Sequence, residues 1–157
     1  MDLIDTHQHL VYRKEASYGW TKDIPPLAED DFTVENYKYL TKDHNIKGTL
    51  FMETGVDDTD YKVETKFIKS VMEQPDSNIK GLIVSIRPEE NNGFDEWLEE
   101  TTAMNVVGYR RILHVMPDDT SQSSTFRNNI KKIGLAGKPF DLCYLPTQLK
   151  IAAELAK

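Results

Sequence analysis

Two histidines near the amino terminus stand two residues apart, in the run Asp5-Thr6-His7-Gln8-His9. The run follows an apolar strand start, and side chains along a strand alternate between its faces, so His7 and His9 are expected to point the same way, together with Asp5. Two imidazoles in this arrangement can bind one metal ion or polarise one substrate oxygen, and imidazole suits zinc and related metals. We therefore predict that His7 and His9 are site residues and ligands of a divalent metal, with zinc as the first choice; a site that works without metal is the open alternative.

The elements that must position this pair alternate in type along the chain. Apolar β-prone runs predict strands at Asp2–Thr6, Gly48–Glu53, Ile79–Ile86, Val106–Ile112 and Phe140–Leu145. Amphipathic runs predict helices at Thr33–His44 and Asp60–Gln74, around Phe94–Leu98 and Phe126–Ile133, and from Pro146 onwards. Repeated strand-then-helix order predicts an α/β fold with a parallel sheet and right-handed crossovers. The spacing fits a (β/α)8 TIM barrel, of which about five βα units are present, since the full barrel takes roughly 250 residues.

One long connection, residues 10–32, interrupts this alternation. It contains Tyr18-Gly19-Trp20 and Pro25-Pro26, and it ends in Glu29-Asp30-Asp31, which is interpreted as a solvated turn ahead of a helix. Loops of this length are usually functional lids or disordered, and in a barrel a loop that follows the first strand lies over the catalytic face. We predict a lid here, within one domain that spans residues 1–157.

Composition limits the partners and the compartment. The chain has 157 residues, a formal net charge of −7 and one cysteine. The acidic balance argues against nucleic acid and anionic membranes, because both attract basic patches. A lone cysteine excludes an intrachain disulfide and fits a reducing compartment, and no apolar run approaches the roughly 20 residues of a membrane helix. We expect a soluble, cytoplasmic protein with a small-molecule substrate.

The motifs, in their order, resemble the amidohydrolase-2 group of the amidohydrolase superfamily, which are metal-dependent TIM-barrel hydrolases. The run Asp5 to His9 resembles the first-strand motif, and Trp20 stands where one branch of the family has a Trp. Residues 47–53, Lys-Gly-Thr-Leu-Phe-Met-Glu, resemble the second strand. Residues 107–114, Val-Gly-Tyr-Arg-Arg-Ile-Leu-His, are similar to the fourth-strand Gly-x-Arg pattern, and residues 140–149 resemble the fifth strand and its helix.

This resemblance implies a lactonase that acts on sugar or dicarboxylate lactones. It implies that Arg110 is the fourth-strand arginine, whose guanidinium suits a carboxylate or an oxyanion, and Arg111 replaces it if the strand phase is wrong by one residue. Trp20, Glu53, His114 and Tyr144 are further substrate-binding candidates. Each also has a plain structural interpretation: loop packing for Trp20, a helix cap for Glu53, a loop histidine for His114 and a buried ring for Tyr144. Cys143 has no recognisable catalytic neighbour and is interpreted as a small core residue.

The family pattern has later elements that the chain does not contain. These are a histidine motif on the sixth strand and an aspartate, the usual general base, on the eighth. We therefore expect this chain alone to be incomplete and inactive, with a missing carboxyl-terminal portion or a second copy completing the barrel.

A second class of function stays open at this stage. The chain could be a non-catalytic, open-sheet α/β module of the doubly wound type that binds a small molecule. Such a sheet should show a topological switch point and often a Gly-rich first turn, whereas the first turn here is rich in histidine.

Overall fold

Five strands and five α-helices alternate in the computed structural model, which describes residues 1–157. The strands are β1 Leu3–Gln8, β2 Ile46–Met52, β3 Ile79–Ser85, β4 Gly108–Ile112 and β5 Phe140–Cys143. The helices are α1 Val34–Leu40, α2 Tyr61–Met72, α3 Phe94–Ala103, α4 Ser124–Leu135 and α5 Leu149–Leu155. All ten predicted elements are therefore present. None of the helices is long and apolar enough to cross a membrane.

The elements differ from the predictions mainly at their ends. α1 begins one residue later than predicted because Thr33 is its N-cap, where the Thr33 hydroxyl accepts a hydrogen bond from the Asn36 backbone N–H. α1 also ends at Leu40, before the turn that leads into β2. β5 ends at Cys143 rather than at Leu145, since the Tyr144 N–H turns back to the Leu142 carbonyl.

The chain divides into two compact units, residues 1–84 and residues 85–157. In the first unit, β1 pairs with β2 and β2 with β3, both in parallel, and each connection contains an α-helix. The order β1-β2-β3 has no switch point within this unit, unlike a doubly wound sheet. Its core includes the fully buried side chains of Leu10, Phe51, Ile68 and Leu82.

The second unit contains the parallel pair β4 and β5 with α3 and α4. Trp97 and Tyr109 are the largest buried side chains here, and each has a partner for its polar atom. The Trp97 indole N–H donates to the Ser85 carbonyl at 3.1 Å, and the Tyr109 and Thr101 hydroxyl oxygens lie 2.7 Å apart. These bonds satisfy the polar ends of large aromatic rings that otherwise bury apolar area.

The long connection after β1 is a folded loop rather than a disordered one. Its two ends are joined by an antiparallel bridge, in which Val11 and Phe32 exchange two backbone hydrogen bonds of 2.9 Å. Tyr18 is 4% exposed and packs with Val11, Ala16 and Val56 in a small hydrophobic cluster. The loop is therefore held both at its ends and in its middle.

Arg13 links the remaining parts of this loop. Its guanidinium donates to the Thr21 hydroxyl at 2.7 Å, to the Asp30 carbonyl at 3.2 Å and to the Leu27 carbonyl, while its backbone N–H donates to Asp31 Oδ1 at 2.9 Å. Residues 29–31 are exposed, in keeping with the interpretation as a solvated turn, and Asp30 and Asp31 in addition close the loop onto Arg13.

Gly19 brings this loop to the turn after β2. The Asp57 carboxylate accepts the Gly19 N–H at 3.1 Å, and a Cβ added at Gly19 would lie 2.9 Å from the same Asp57 oxygen. Only glycine permits this approach without movement of the carboxylate.

Candidate functional site

The two histidines meet at the carboxyl end of β1. His7 is the last residue but one of the strand and His9 follows its end. Their Nε2 atoms lie 3.1 Å apart, with ring centroids 4.8 Å apart and the ring planes at 78°. Zinc–nitrogen bonds of about 2.0–2.1 Å at a tetrahedral angle place two ligand nitrogens about 3.3–3.4 Å apart. The observed separation is close to that distance, so both nitrogens suit one metal ion.

A backbone carbonyl orients one of these rings. His9 Nδ1 lies 3.0 Å from the Met52 carbonyl oxygen, at the end of β2. A carbonyl only accepts, so in the neutral imidazole Nδ1 carries the proton and Nε2 presents its lone pair towards His7. This is the arrangement in which metal-binding histidines are usually held.

Asp5 does not join the imidazoles through its carboxylate. Its Oδ1 accepts the His7 backbone N–H at 2.9 Å, and its Oδ2 accepts the Tyr37 hydroxyl from α1 at 2.7 Å. Burial raises the pKa of Tyr37, and the Asp5 carboxylate raises it further, so the phenol stays protonated as a donor. A register irregularity between Asp5 and Gln8 interrupts the simple alternation that the sequence predicted.

His7 and His9 are thus the two candidate metal ligands at this strand end. No group of three His, Cys, Asp or Glu side chains among residues 1–157 is arranged to hold a metal ion. Catalytic zinc sites have three protein ligands and an open position. The imidazole pair fits zinc in donor type and in the separation of its Nε2 atoms, and it would supply two of the three protein ligands.

Two further predicted residues lie at the end of β2, in the same unit. Trp20 is 48% exposed, and its indole N–H donates to the Thr54 carbonyl at 2.9 Å. Glu53 is 2% exposed, and its Oε2 accepts the N–H of Gly55, whose φ of 70° is in the left-handed region. Glu53 does not cap α2, since Asp60 holds that position. Trp20 and His9 thus bond to neighbouring carbonyls, Thr54 and Met52, at one strand end.

The two arginines of β4 have different surroundings, because neighbouring strand residues face opposite sides. Arg111 is 7% exposed and forms an ion pair with Glu89, at 2.6 Å from Nη2 to Oε1. Arg110 is partly buried; its Nη2 donates to Cys143 Sγ at 2.9 Å, and its Nε lies 3.7 Å from Asp141 Oδ2. Arg110 is thus the arginine whose guanidinium lies beside Cys143 and Asp141.

His114 and Tyr144 follow β4 and β5. His114 is exposed, with Nδ1 3.3 Å from Cys143 Sγ. Tyr144 is half-buried, and burial raises its pKa, opposed by the Ser121 hydroxyl and the Arg127 charge. The structure thus brings together Arg110, His114 and Cys143, the residue that was interpreted from the sequence as a small core residue. Strand register is the feature that indicates this contact. Cys143 pairs with Ile112 and Asp141 pairs with Arg110, so these four side chains share one face of the sheet.

Comparison with known proteins adds one sequence relative, and no family model matches the chain. The uncharacterised protein y4mH of Sinorhizobium fredii is 25% identical over 174 aligned positions, which cover 99% of this chain and 58% of y4mH.

Solved structures resemble nearly the whole chain. Amidohydrolase 2 from Bifidobacterium longum subsp. infantis is 20% identical with a TM-score of 0.71, covering 98% of this chain and 56% of its own. A probable 2-pyrone-4,6-dicarboxylic acid hydrolase from Acinetobacter baumannii, with citric acid bound, is 16% identical with a TM-score of 0.75, covering 100% and 55%. An amidohydrolase from Burkholderia multivorans, with zinc bound, is 17% identical with a TM-score of 0.76, covering 94% and 50%.

The chain spans about half the length of these structures. At these identities the likeness concerns the fold, and it decides between the two architectures that the sequence left open. The doubly wound alternative is wrong. The chain has the fold of the amidohydrolase-2 structures, as five βα units of a (β/α)8 barrel.

Proposed function

We propose that this chain carries the first five βα units of an amidohydrolase-2-type hydrolase whose substrate is a lactone, of a sugar or of a dicarboxylate. The fold likeness supports the hydrolase class. The lactone is suggested by the similar hydrolase of a 2-pyrone dicarboxylic acid, since a 2-pyrone is a cyclic ester. In (β/α)8 enzymes the active site lies at the carboxyl ends of the strands, where His7 and His9 are placed.

The converging imidazoles carry this proposal. Ester hydrolysis needs a polarised carbonyl and an activated water, and a bound divalent metal supplies both functions. His7 and His9 would hold that metal through their Nε2 atoms, and zinc is the first candidate because a similar amidohydrolase contains it. The Met52 carbonyl keeps His9 in the required tautomer.

Other residues of the chain suit a lactone that carries a carboxylate. The Trp20 indole is half-exposed, and its N–H already donates to the Thr54 carbonyl. A substrate can therefore stack on the ring without leaving this N–H unbonded. In the second unit, Arg110 has the guanidinium fork that pairs with carboxylates. Glu53 and Tyr144 remain substrate-binding proposals, and Arg111 is the weaker one because Glu89 engages it.

Zinc binding by the 157-residue chain is the first test. We expect about one equivalent of zinc after dialysis, by elemental analysis, and its loss in the His7→Ala/His9→Ala double variant, because two imidazoles supply the protein ligands on this chain. His44→Ala is the matched control, since His44 is exposed on the turn before β2. Zinc that persists in the double variant would contradict the assignment of these ligands.

Turnover is the second test, on the zinc-loaded chain with sugar lactones and a dicarboxylate pyrone. We expect no hydrolysis by the chain alone, since the later histidine and aspartate motifs of the family pattern are not among its residues. Hydrolysis that His7→Ala abolishes would support the hydrolase class and overturn the expectation of incompleteness. A chain that binds no zinc and no lactone would contradict the proposed function.

A further inference from the structure

Cys143 lies between two nitrogen groups at the ends of β4 and β5. Its Sγ is 2.9 Å from Nη2 of Arg110 and 3.3 Å from Nδ1 of His114. The side chain is partly exposed, and it is the single cysteine of the protein. The sequence interpretation of Cys143 as a small core residue without a catalytic neighbour does not match these contacts.

Strand register produces this cluster. β4 and β5 run in parallel with Arg110 beside Asp141 and Ile112 beside Cys143, so Arg110 and Cys143 point to the same side. The Leu113 N–H donates to the Cys143 carbonyl at 3.0 Å, which keeps the chain in register up to His114. Backbone hydrogen bonds between β4 and β5 therefore place Arg110 and Cys143 on one face, and His114 follows two residues after the end of β4.

The two neighbours have different chemical capacities. A thiol becomes a strong nucleophile when a base within hydrogen-bond reach takes its proton and a positive charge stabilises the anion. His114 supplies the base and Arg110 the positive charge. A guanidinium also has five donors, so the same Arg110 group can pair with a carboxylate while it contacts sulfur. Asp141 Oδ2 lies 3.7 Å from Arg110 Nε, and the Asp141 side chain is partly exposed.

We propose that Cys143 is a nucleophilic thiol with His114 as its base and Arg110 as the binding group for a carboxylate, which makes this cluster a site of covalent modification by small electrophiles that carry a carboxylate. With iodoacetate as the probe, the thiol proton passes to Nδ1 of His114 and the sulfur lone pair attacks the methylene carbon. The S–C bond forms, the C–I bond breaks, and iodide leaves with the bonding pair. This proposal shares Arg110 with the proposed lactone site, but it requires neither lactone hydrolysis nor a metal.

The test compares two alkylating agents that differ in charge. Iodoacetate carries a carboxylate and iodoacetamide does not, and intact mass reports the adduct without ambiguity because the chain has one cysteine. We expect the ratio of the iodoacetate rate to the iodoacetamide rate to be at least about tenfold higher in the folded chain than in the denatured chain, the equivalent of one charge-assisted hydrogen bond. Equal ratios in the two states would overturn the proposal.

Variants separate the two roles. Arg110→Gln should lower the ratio towards that of the denatured chain, and Arg110→Lys should keep part of it, because lysine retains the charge but not the fork. His114→Gln should lower both rates and leave their ratio. Lys131→Gln, on the exposed face of α4, is the charge-matched control and should change neither. A ratio unchanged in folded Arg110→Gln, with its fold checked by circular dichroism, would contradict the role of Arg110.

Discussion

Neighbouring arginines on β4 show how one step along a strand changes what a side chain does. Arg110 contacts a partly exposed thiol, whereas Arg111 turns into the protein and pairs with Glu89. The side chains of Arg111 and Glu89 are 8% and 19% exposed, so water screens their pair poorly. Removing one partner of a poorly screened pair leaves the other charge without compensation.

The first prediction concerns this ion pair. Arg111→Met should destabilise the protein by about 3 kcal/mol, because it leaves the Glu89 carboxylate largely buried without its partner. Adding Glu89→Leu should recover most of the loss, since no buried charge then remains. Urea unfolding followed by circular dichroism measures both values. A single variant as stable as the parent would show that the pair is not structural.

At the scale of elements, the segment from residue 10 to residue 32 is closed by contacts within itself. Val11 and Phe32 join its ends, and Arg13 bonds to groups at four places along it. The segment also reaches the turn after β2, where Asp60 Oδ2 accepts the Ser17 N–H at 2.9 Å, and this bond lowers the pKa of Asp60. A loop with so many internal bonds can hold Trp20 in a fixed position.

The second prediction is that Arg13 keeps this loop ordered. Arg13→Ala removes the guanidinium bonds, so backbone amides of residues 12–31 should exchange faster with solvent, while amides of β2 and β3 keep their protection. Hydrogen exchange followed by mass spectrometry distinguishes the two regions. Lys14→Ala is the matched control, because Lys14 is the exposed neighbour. Equal exchange in the two variants would mean that the bridge at Val11 suffices.

At the scale of the whole molecule, several tyrosines share one response to pH. Burial is the largest cause of a raised pKa in Tyr12, Tyr18, Tyr37 and Tyr144. The folded state therefore holds phenol protons that the unfolded state releases near the ordinary value of 10.0. The stability that these groups contribute is complete below that pH and is lost as the pH rises above it.

The third prediction follows from that sign. The free energy of unfolding should fall steeply above pH 10.0, the ordinary tyrosine value, and Tyr18→Phe should flatten the fall. At neutral pH the same variant should lose about 1 kcal/mol, because the Tyr12 N–H loses its acceptor. Unfolding measured across the pH range tests this. Tyr39→Phe, at the 68% exposed Tyr39, should leave the slope unchanged.

Local pattern was enough to predict the succession of elements. Apolar periodicity and turn residues are properties of short stretches, and all five strands and all five α-helices were found where the pattern placed them, with differences at their ends. The boundaries were less predictable because caps such as Thr33 and turns such as Tyr144 to Leu142 depend on individual hydrogen bonds.

The sequence by itself determined the succession of strands and helices and the position of the imidazole pair at the end of the first strand, because both follow from local residue order, whereas the likeness to solved structures decided for the (β/α)8 type of fold. Only the tertiary structure decided which atoms meet: Asp5 with Tyr37, Arg111 with Glu89, and Cys143 with Arg110. The physical reason is register. Contacts between strands and helices depend on how far each element slides against the next, and hydrogen bonds between residues distant in the chain fix that offset.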